Sequence, residues 1–148
     1  MRYFEDLQVG DAFTSPVRTV SAAEIVAFAR EFDPQPFHLD PEAAAASFFG
    51  GLVASGWHTS ALTMRLMTES GMDLAGGIIG LGMEQLRWPA PLRPDESIQT
   101  RIEVLEVRGS ERRPQFGIVR FKIETRCVGG PTVFEMTGSL IVPRRPAG

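Results

Sequence analysis

Apolar residues recur with helical spacing in the N-terminal half of the chain and in alternation in the C-terminal half. Ile25, Phe28, Ala29 and Phe32 fall at i, i+3, i+4 and i+7, which predicts a helix with one buried face. Ser21-Ala22-Ala23-Glu24 ahead of it has the form of a capping box, the start signal. Pro34 ends the helix at Asp33, because a proline disfavours the α conformation in the residue before it. Asp40-Pro41-Glu42 predicts a second, short helix with Asp40 as N-cap and Pro41 at the first helical position. A third helix is expected from near Ser55-Gly56 to about Ser70, with Gly71 at its end. Trp57, Ala61, Leu62, Met64, Leu66 and Met67 surround most of its circumference, the pattern of a helix buried in a core.

Asp11 to Val20 carries β-formers with Phe13 and Val17 and reads as a short strand. Four longer candidates follow at Ile78–Trp88, Ser97–Arg108, Gln115–Cys127 and Thr132–Val142. Alternation is clear in Ile98, Thr100, Ile102 and Val104, and again in Ile118, Phe121 and Ile123. Gly109 to Pro114 is a polar turn, and Gly129-Gly130 is a tight hairpin signal. Successive strands joined by such turns predict an antiparallel meander. A buried helix followed by a meander predicts an α+β protein in which a curved sheet wraps a central helix.

At 148 residues the chain is expected to be one domain over 1–148. A net charge of −3 with scattered arginines and no basic block gives no footprint for nucleic acid; Arg108, Arg112 and Arg113 read as a solvated turn. The single Cys127 excludes an intrachain disulfide and reads as a small buried hydrophobe. The opening MRYFEDLQVGDAF has no apolar leader region, and no stretch is long and apolar enough to span a membrane. A cytoplasmic location is the expectation.

The chemical signal concentrates between residues 32 and 60. FDPQPFHLDPEAA sets an acid, Asp33, and a potential base, His38, on a proline-stiffened segment. Fully extended, the segment would hold the two roughly 15 Å apart, too far to act on one water, so a turn is expected around Pro36–His38. Each residue also has a plain structural role open to it: Asp33 at a helix end, and His38 beside the next helix start. Their joint spacing with Pro34, Pro36 and Asp40-Pro41 favours a working pair, whereas N-capping suffices for Asp40. Gln35 and Phe37 divide between packing and lining a pocket. His58, in ASGWHTS, is first a structural candidate and second a substrate contact; Trp57 is core or interface. Asp33, His38 and His58 match no familiar metal-ligand spacing, so no metal is expected.

On these residues the chain resembles the MaoC-like dehydratases, the (R)-specific enoyl-CoA hydratase family. The resemblance rests on YFEDLQVGD, on FDPQPFHLDPEAA, on FGGLVASGWHT before the long helix, and on RWPAPLRPDESI between strands. It implies the hot-dog fold, a single domain with an antiparallel sheet wrapped around a long central helix. It implies addition of water to 2-enoyl thioesters or its removal from 3-hydroxyacyl thioesters, with Asp33 and His38 as the acid/base pair. The family's usual Asn is Gln35 here, its usual His before the glycine is Ser55, and a helix serine falls on Met64. The N-terminus of the long helix offers free N–H groups, and Gly56, lacking a Cβ, would let a thioester carbonyl approach. Ser55, Gln35, Phe37, Trp57 and His58 complete the expected oxyanion and substrate-binding set. Coenzyme A would enter as part of the substrate, with no bound cofactor.

Two other readings belong beside this one. A hot-dog thioesterase usually carries an acidic residue on the central helix, and here none occurs before Glu69. A non-catalytic acyl-thioester-binding protein would keep the fold without the chemistry. A long edge strand and the family pattern predict a homodimer or higher homo-oligomer.

Overall fold

The computed structural model describes residues 1–148. Its elements in order are a 3-10 turn at Phe4–Asp6, strands β1 (Ala12–Thr14) and β2 (Arg18–Thr19), helices α1 (Ala22–Phe32), α2 (Pro36–Leu39), α3 (Pro41–Ala45) and α4 (Gly56–Thr68), then β3 (Ile79–Arg87), β4 (Ser97–Gly109), β5 (Phe116–Cys127) and β6 (Thr132–Pro143). The predicted strand over 11–20 is two short pieces flanking Ser15-Pro16-Val17, since proline has no N–H to give a ladder. Both pieces pair with β4.

Every strand pairing is antiparallel, in the order β1-β4-β5-β6-β3 with β2 also on β4. The predicted meander holds for β4, β5 and β6. It fails for β3, which lies beside β6 at the far edge rather than beside β4. The proline-rich stretch after β3 therefore crosses from one edge of the sheet to the other. Neither alternation nor turn chemistry encodes which edge a strand joins.

Alternation in β4 and β5 sends Ile98, Thr100, Ile102 and Val104, and Val119, Phe121, Ile123, Thr125 and Cys127, into the interior. The core has two apolar clusters. One gathers Phe121, Ile123 and Ile102 with Met67, Met72 and Leu74; the other gathers Ile98, Cys127 and Val133 with Ile25, Leu62, Leu66 and Leu92. Between them the Thr125 hydroxyl bridges Thr100 of β4 at 2.6 Å and Thr63 of α4 at 2.7 Å, all three buried. This buried hydroxyl chain ties the helix to the sheet and runs on to Thr59 O, 2.9 Å from Thr63 Oγ1.

The capping box on α1 forms as predicted: Ser21 Oγ accepts from Glu24 N–H at 3.2 Å and the Glu24 carboxylate accepts from Ser21 N–H at 2.8 Å. Its buried face is narrower than predicted. Ile25 and Ala29 are buried, but Phe32, 65% exposed, turns outward at the last turn. The central helix departs from expectation in the same way. His58, Thr59, Leu62, Thr63, Leu66 and Met67 face the sheet and α1, while Trp57, Ala61, Met64 and Thr68 lie in one exposed row. No helix is long and apolar enough to cross a membrane. Cys127 is buried as predicted and donates its S–H to Glu96; burial, with Glu96 beside it, pushes the thiol pKa up to about 12.

Candidate active site

Three segments converge on one cavity. The first is the link from α1 to α3. Asp33 caps α1 with its N–H on Ala29 O at 2.8 Å. Gln35 N–H then bonds back to Asp33 O at 2.8 Å, and Pro36 opens α2. The predicted turn is thus a single helical turn over Pro36–Leu39. It brings His38 Nε2 to 3.2 Å from Asp33 Oδ2.

The second segment, Leu52–Ser55, leads into α4 and fixes the imidazole. Val53 N–H donates to Phe37 O at 3.1 Å, and Val53 O lies 2.6 Å from His38 Nδ1. A carbonyl oxygen only accepts, so Nδ1 carries a hydrogen. Nε2 is therefore the nitrogen offered to Asp33, and their contact is attractive when one proton lies between them. The ring is 5% exposed and packs edge-on against Phe37. Burial pushes the Asp33 pKa up, but hydrogen bonds from Ser55 and Gln35 and the His38 charge and hydrogen bond outweigh it, leaving the carboxyl below its usual range.

The third segment is the crossover after β3. Ala54 N–H on Leu92 O at 2.8 Å ties it to the second segment. It supplies Trp88, Pro89 and Pro91 to the lining, together with Phe37, Phe48 and Phe49 from earlier in the chain. The resulting cavity is about 420 Å³, and Asp33 and His38 are the only ionisable residues lining it. An apolar chamber with one convergent polar pair is the usual form of a small-molecule site.

Gly56 lies at this cavity as the first residue of α4, and its N–H has no partner in the protein. The structure adds a reason for glycine there. A Cβ at 56 would sit 2.7 Å from Trp88 Cε2, and the Trp88 indole N–H donates to Gly56 O at 2.8 Å. Gln35, Phe37 and Trp57 also line the cavity.

Two of the expected contact residues lie elsewhere. Ser55 is fully buried behind the cavity, where its Oγ caps α4 by accepting from Trp57 N–H at 3.2 Å. His58 projects from α4 toward α1 and stacks on Phe28, centroids 4.6 Å apart, with Nδ1 buried and unpartnered. Its place one residue beyond the cavity-lining Trp57 rotates it by about 100° around the helix. No three His, Cys, Asp or Glu side chains converge as metal ligands anywhere in the chain. Sequence reasoning missed Phe48, Phe49 and the Val53 carbonyl. Nothing local marks a backbone oxygen as a histidine partner, and two adjacent phenylalanines read equally well as core.

A long helix laid on an antiparallel sheet is the hot-dog architecture, and here an Asp–His pair stands near the N-terminus of the helix. Residues 6–125 match the family described as MaoC like domain, and the chain belongs to the MaoC-like dehydratases. A MaoC-like dehydratase from Rhodospirillum rubrum has the same structure, with a TM-score of 0.95 and 51% identity over 99% of this chain and 100% of that one. The Bacillus subtilis (strain 168) protein YdeM, itself uncharacterized, is 32% identical over 95% of this chain and 98% of its own. A 3-hydroxybutyryl-CoA dehydratase from Methylorubrum extorquens is 29% identical over 97% of this chain and 85% of its own. Family and relatives together support a hydro-lyase activity.

Proposed function

We propose that this chain adds water reversibly to 2-enoyl thioesters of coenzyme A, with Asp33 and His38 as its proton-transfer pair. The observation that carries the reading is the 3.2 Å contact between His38 Nε2 and Asp33 Oδ2 in a cavity with no other ionisable lining, beside the free N–H of Gly56.

A water seated against both groups meets a carboxylate that accepts and an Nε2–H that donates. The Asp33 carboxylate takes one water proton as the oxygen attacks C3. Nε2–H of His38 delivers a proton to C2. Asp33 then returns its proton to Nε2 across their contact, and the pair is restored. Water and both proton-transfer atoms lie on one side of the substrate, so O and H add to the same face. Charge developing on the thioester oxygen falls on Gly56 N–H and the positive end of the 13-residue α4. Dehydration of the 3-hydroxyacyl thioester retraces these steps. The acidic residue that a thioesterase would need on α4 is absent from the cavity, since Glu69 caps the far end and pairs with Arg65.

The partner we propose is a second copy of the chain. β3 lies at the end of the sheet with Ile79, Leu81 and Met83 exposed, and an unpaired strand edge is normally covered. A two-fold pairing of β3 with its own copy would close that edge.

The test is turnover of crotonyl-CoA and of branched and dicarboxylic enoyl-CoA esters, followed by loss of enoyl absorbance and by free thiol. The expected result is hydration without thiol release. Asp33→Asn and His38→Ala are each expected to slow it by about 10²–10⁴-fold with unchanged circular dichroism. Thiol release, or hydration indifferent to both substitutions, would overturn the reading.

A further inference from the structure

Asp33 is held by more than His38. Gln35 Nε2 donates to Asp33 Oδ1 at 2.5 Å, leaving Oδ2 for the imidazole. The back-bond from Gln35 N–H to Asp33 O folds the segment so that a side chain two residues on reaches that oxygen. From behind comes Ser55. It is wholly buried, and its Oγ already accepts the Trp57 N–H. Its one O–H hydrogen therefore needs an acceptor inside the protein, and a hydrogen bond from Ser55 is among the causes that hold the Asp33 carboxyl below its usual range. These are two of the positions at which the chain differs from the pattern of the family it resembles.

We propose that Gln35 and Ser55 act together as positioning residues, a two-sided clamp that fixes the Asp33 carboxylate with Oδ2 turned to His38. This rests on the proposed hydration chemistry only for its catalytic consequence; the clamp itself is a property of the resting protein. Asp33 points into an apolar cavity, where a carboxylate without donors would take up a proton and lose the ability to accept one from water. The clamp keeps it anionic and aimed. His38 on α2 is the only other ionisable residue lining the cavity. The nearby α1 residues Arg30 and Glu31 are exposed, and α4 and the 88–92 wall bring no ionisable side chain to the cavity.

Each lost donor raises the Asp33 pKa, and with it the acidic limb of the pH profile for hydration. Both losses move the titration upward, the buried Ser55 more than the exposed Gln35. Gln35→Ala changes a surface side chain and leaves the fold intact. Ser55→Ala also removes the α4 N-cap, so Ser55→Thr, which keeps the hydroxyl, is its rescue control. The direct readout is carbon NMR of protein labelled at the aspartate carboxyl carbon, with the Asp33 signal identified by its disappearance in Asp33→Asn.

The clamp predicts an upward shift of the Asp33 titration in Gln35→Ala and Ser55→Ala, no shift in Ser55→Thr, and a fall in kcat with little change in KM. An Asp33 titration unmoved by both alanine substitutions overturns it, even if the protein hydrates enoyl thioesters well. Shifted titrations in a protein that turns over no enoyl thioester would uphold the clamp and refute the hydration reading instead.

Discussion

Gly56→Ala tests the packing at the head of α4. The new methyl would sit 2.7 Å from Trp88 Cε2 and 3.0 Å from Cδ2 and Nε1. Nonbonded carbons rest about 3.5–4.0 Å apart, so the indole must retreat by about 1 Å. Trp57 stands edge-on against it, centroids 5.2 Å apart, and retreat breaks the Nε1–H bond to Gly56 O at 2.8 Å. Overpacking of this kind costs about 1–3 kcal/mol, and a lost neutral hydrogen bond about 0.5–1.5 kcal/mol. Against that, alanine gains at most about 1 kcal/mol over glycine in a helix. The balance is a loss of about 2 kcal/mol, or about 4–8 °C in Tm for a chain of this size. Scanning calorimetry measures it, and the same substitution in a Trp88→Leu background isolates the clash. There the cost is expected to vanish, since no indole remains to displace. A Gly56→Ala protein as stable as the parent, or equally destabilised in both backgrounds, would refute the packing argument.

Two further outcomes are expected. Burial holds the His58 pKa below the ordinary imidazole value, Glu24 partly opposing this and Arg18 adding to it. The unfolded chain then binds a proton that the native one refuses, so stability is full above the unfolded pKa of about 6.5 and falls as pH drops below it. Tm followed from about pH 7.5 to 5.5 should decline more steeply in the parent than in His58→Phe, which keeps the stack on Phe28; equal slopes would show that His58 is not the group responsible. At the β3 edge, Leu81→Glu should convert a sedimenting dimer to monomer, by burying a charge wherever two copies meet; a monomeric parent, or a variant that stays dimeric, would remove the two-fold pairing.

Much of this protein was legible along the chain because the signals are local. The Ser21–Glu24 capping box, the stop imposed by Pro34, the Asp40-Pro41 start and the alternation in Ile98–Val104 each act within a few residues of themselves, and each element formed where its signal stood. The Asp33/His38 spacing also required a turn between them, and α2 is that turn. What needed the tertiary structure was every choice among partners distant in sequence. Apolar residues around most of α4 do not say which side a neighbour will cover, so Trp57 and Met64 stand exposed. The apolar residues of β3 do not say that it passes β4 to join β6. Gly56 reads alone as room for a substrate, and only the fold shows Trp88, 32 residues on, packed where its Cβ would be. The Val53 carbonyl that sets the His38 tautomer is marked by no side chain at all. Local sequence fixes dihedral preferences and the period of apolar faces. Which faces meet is settled by burial and hydrogen-bond satisfaction summed over the whole chain, and the site is assembled only at that level.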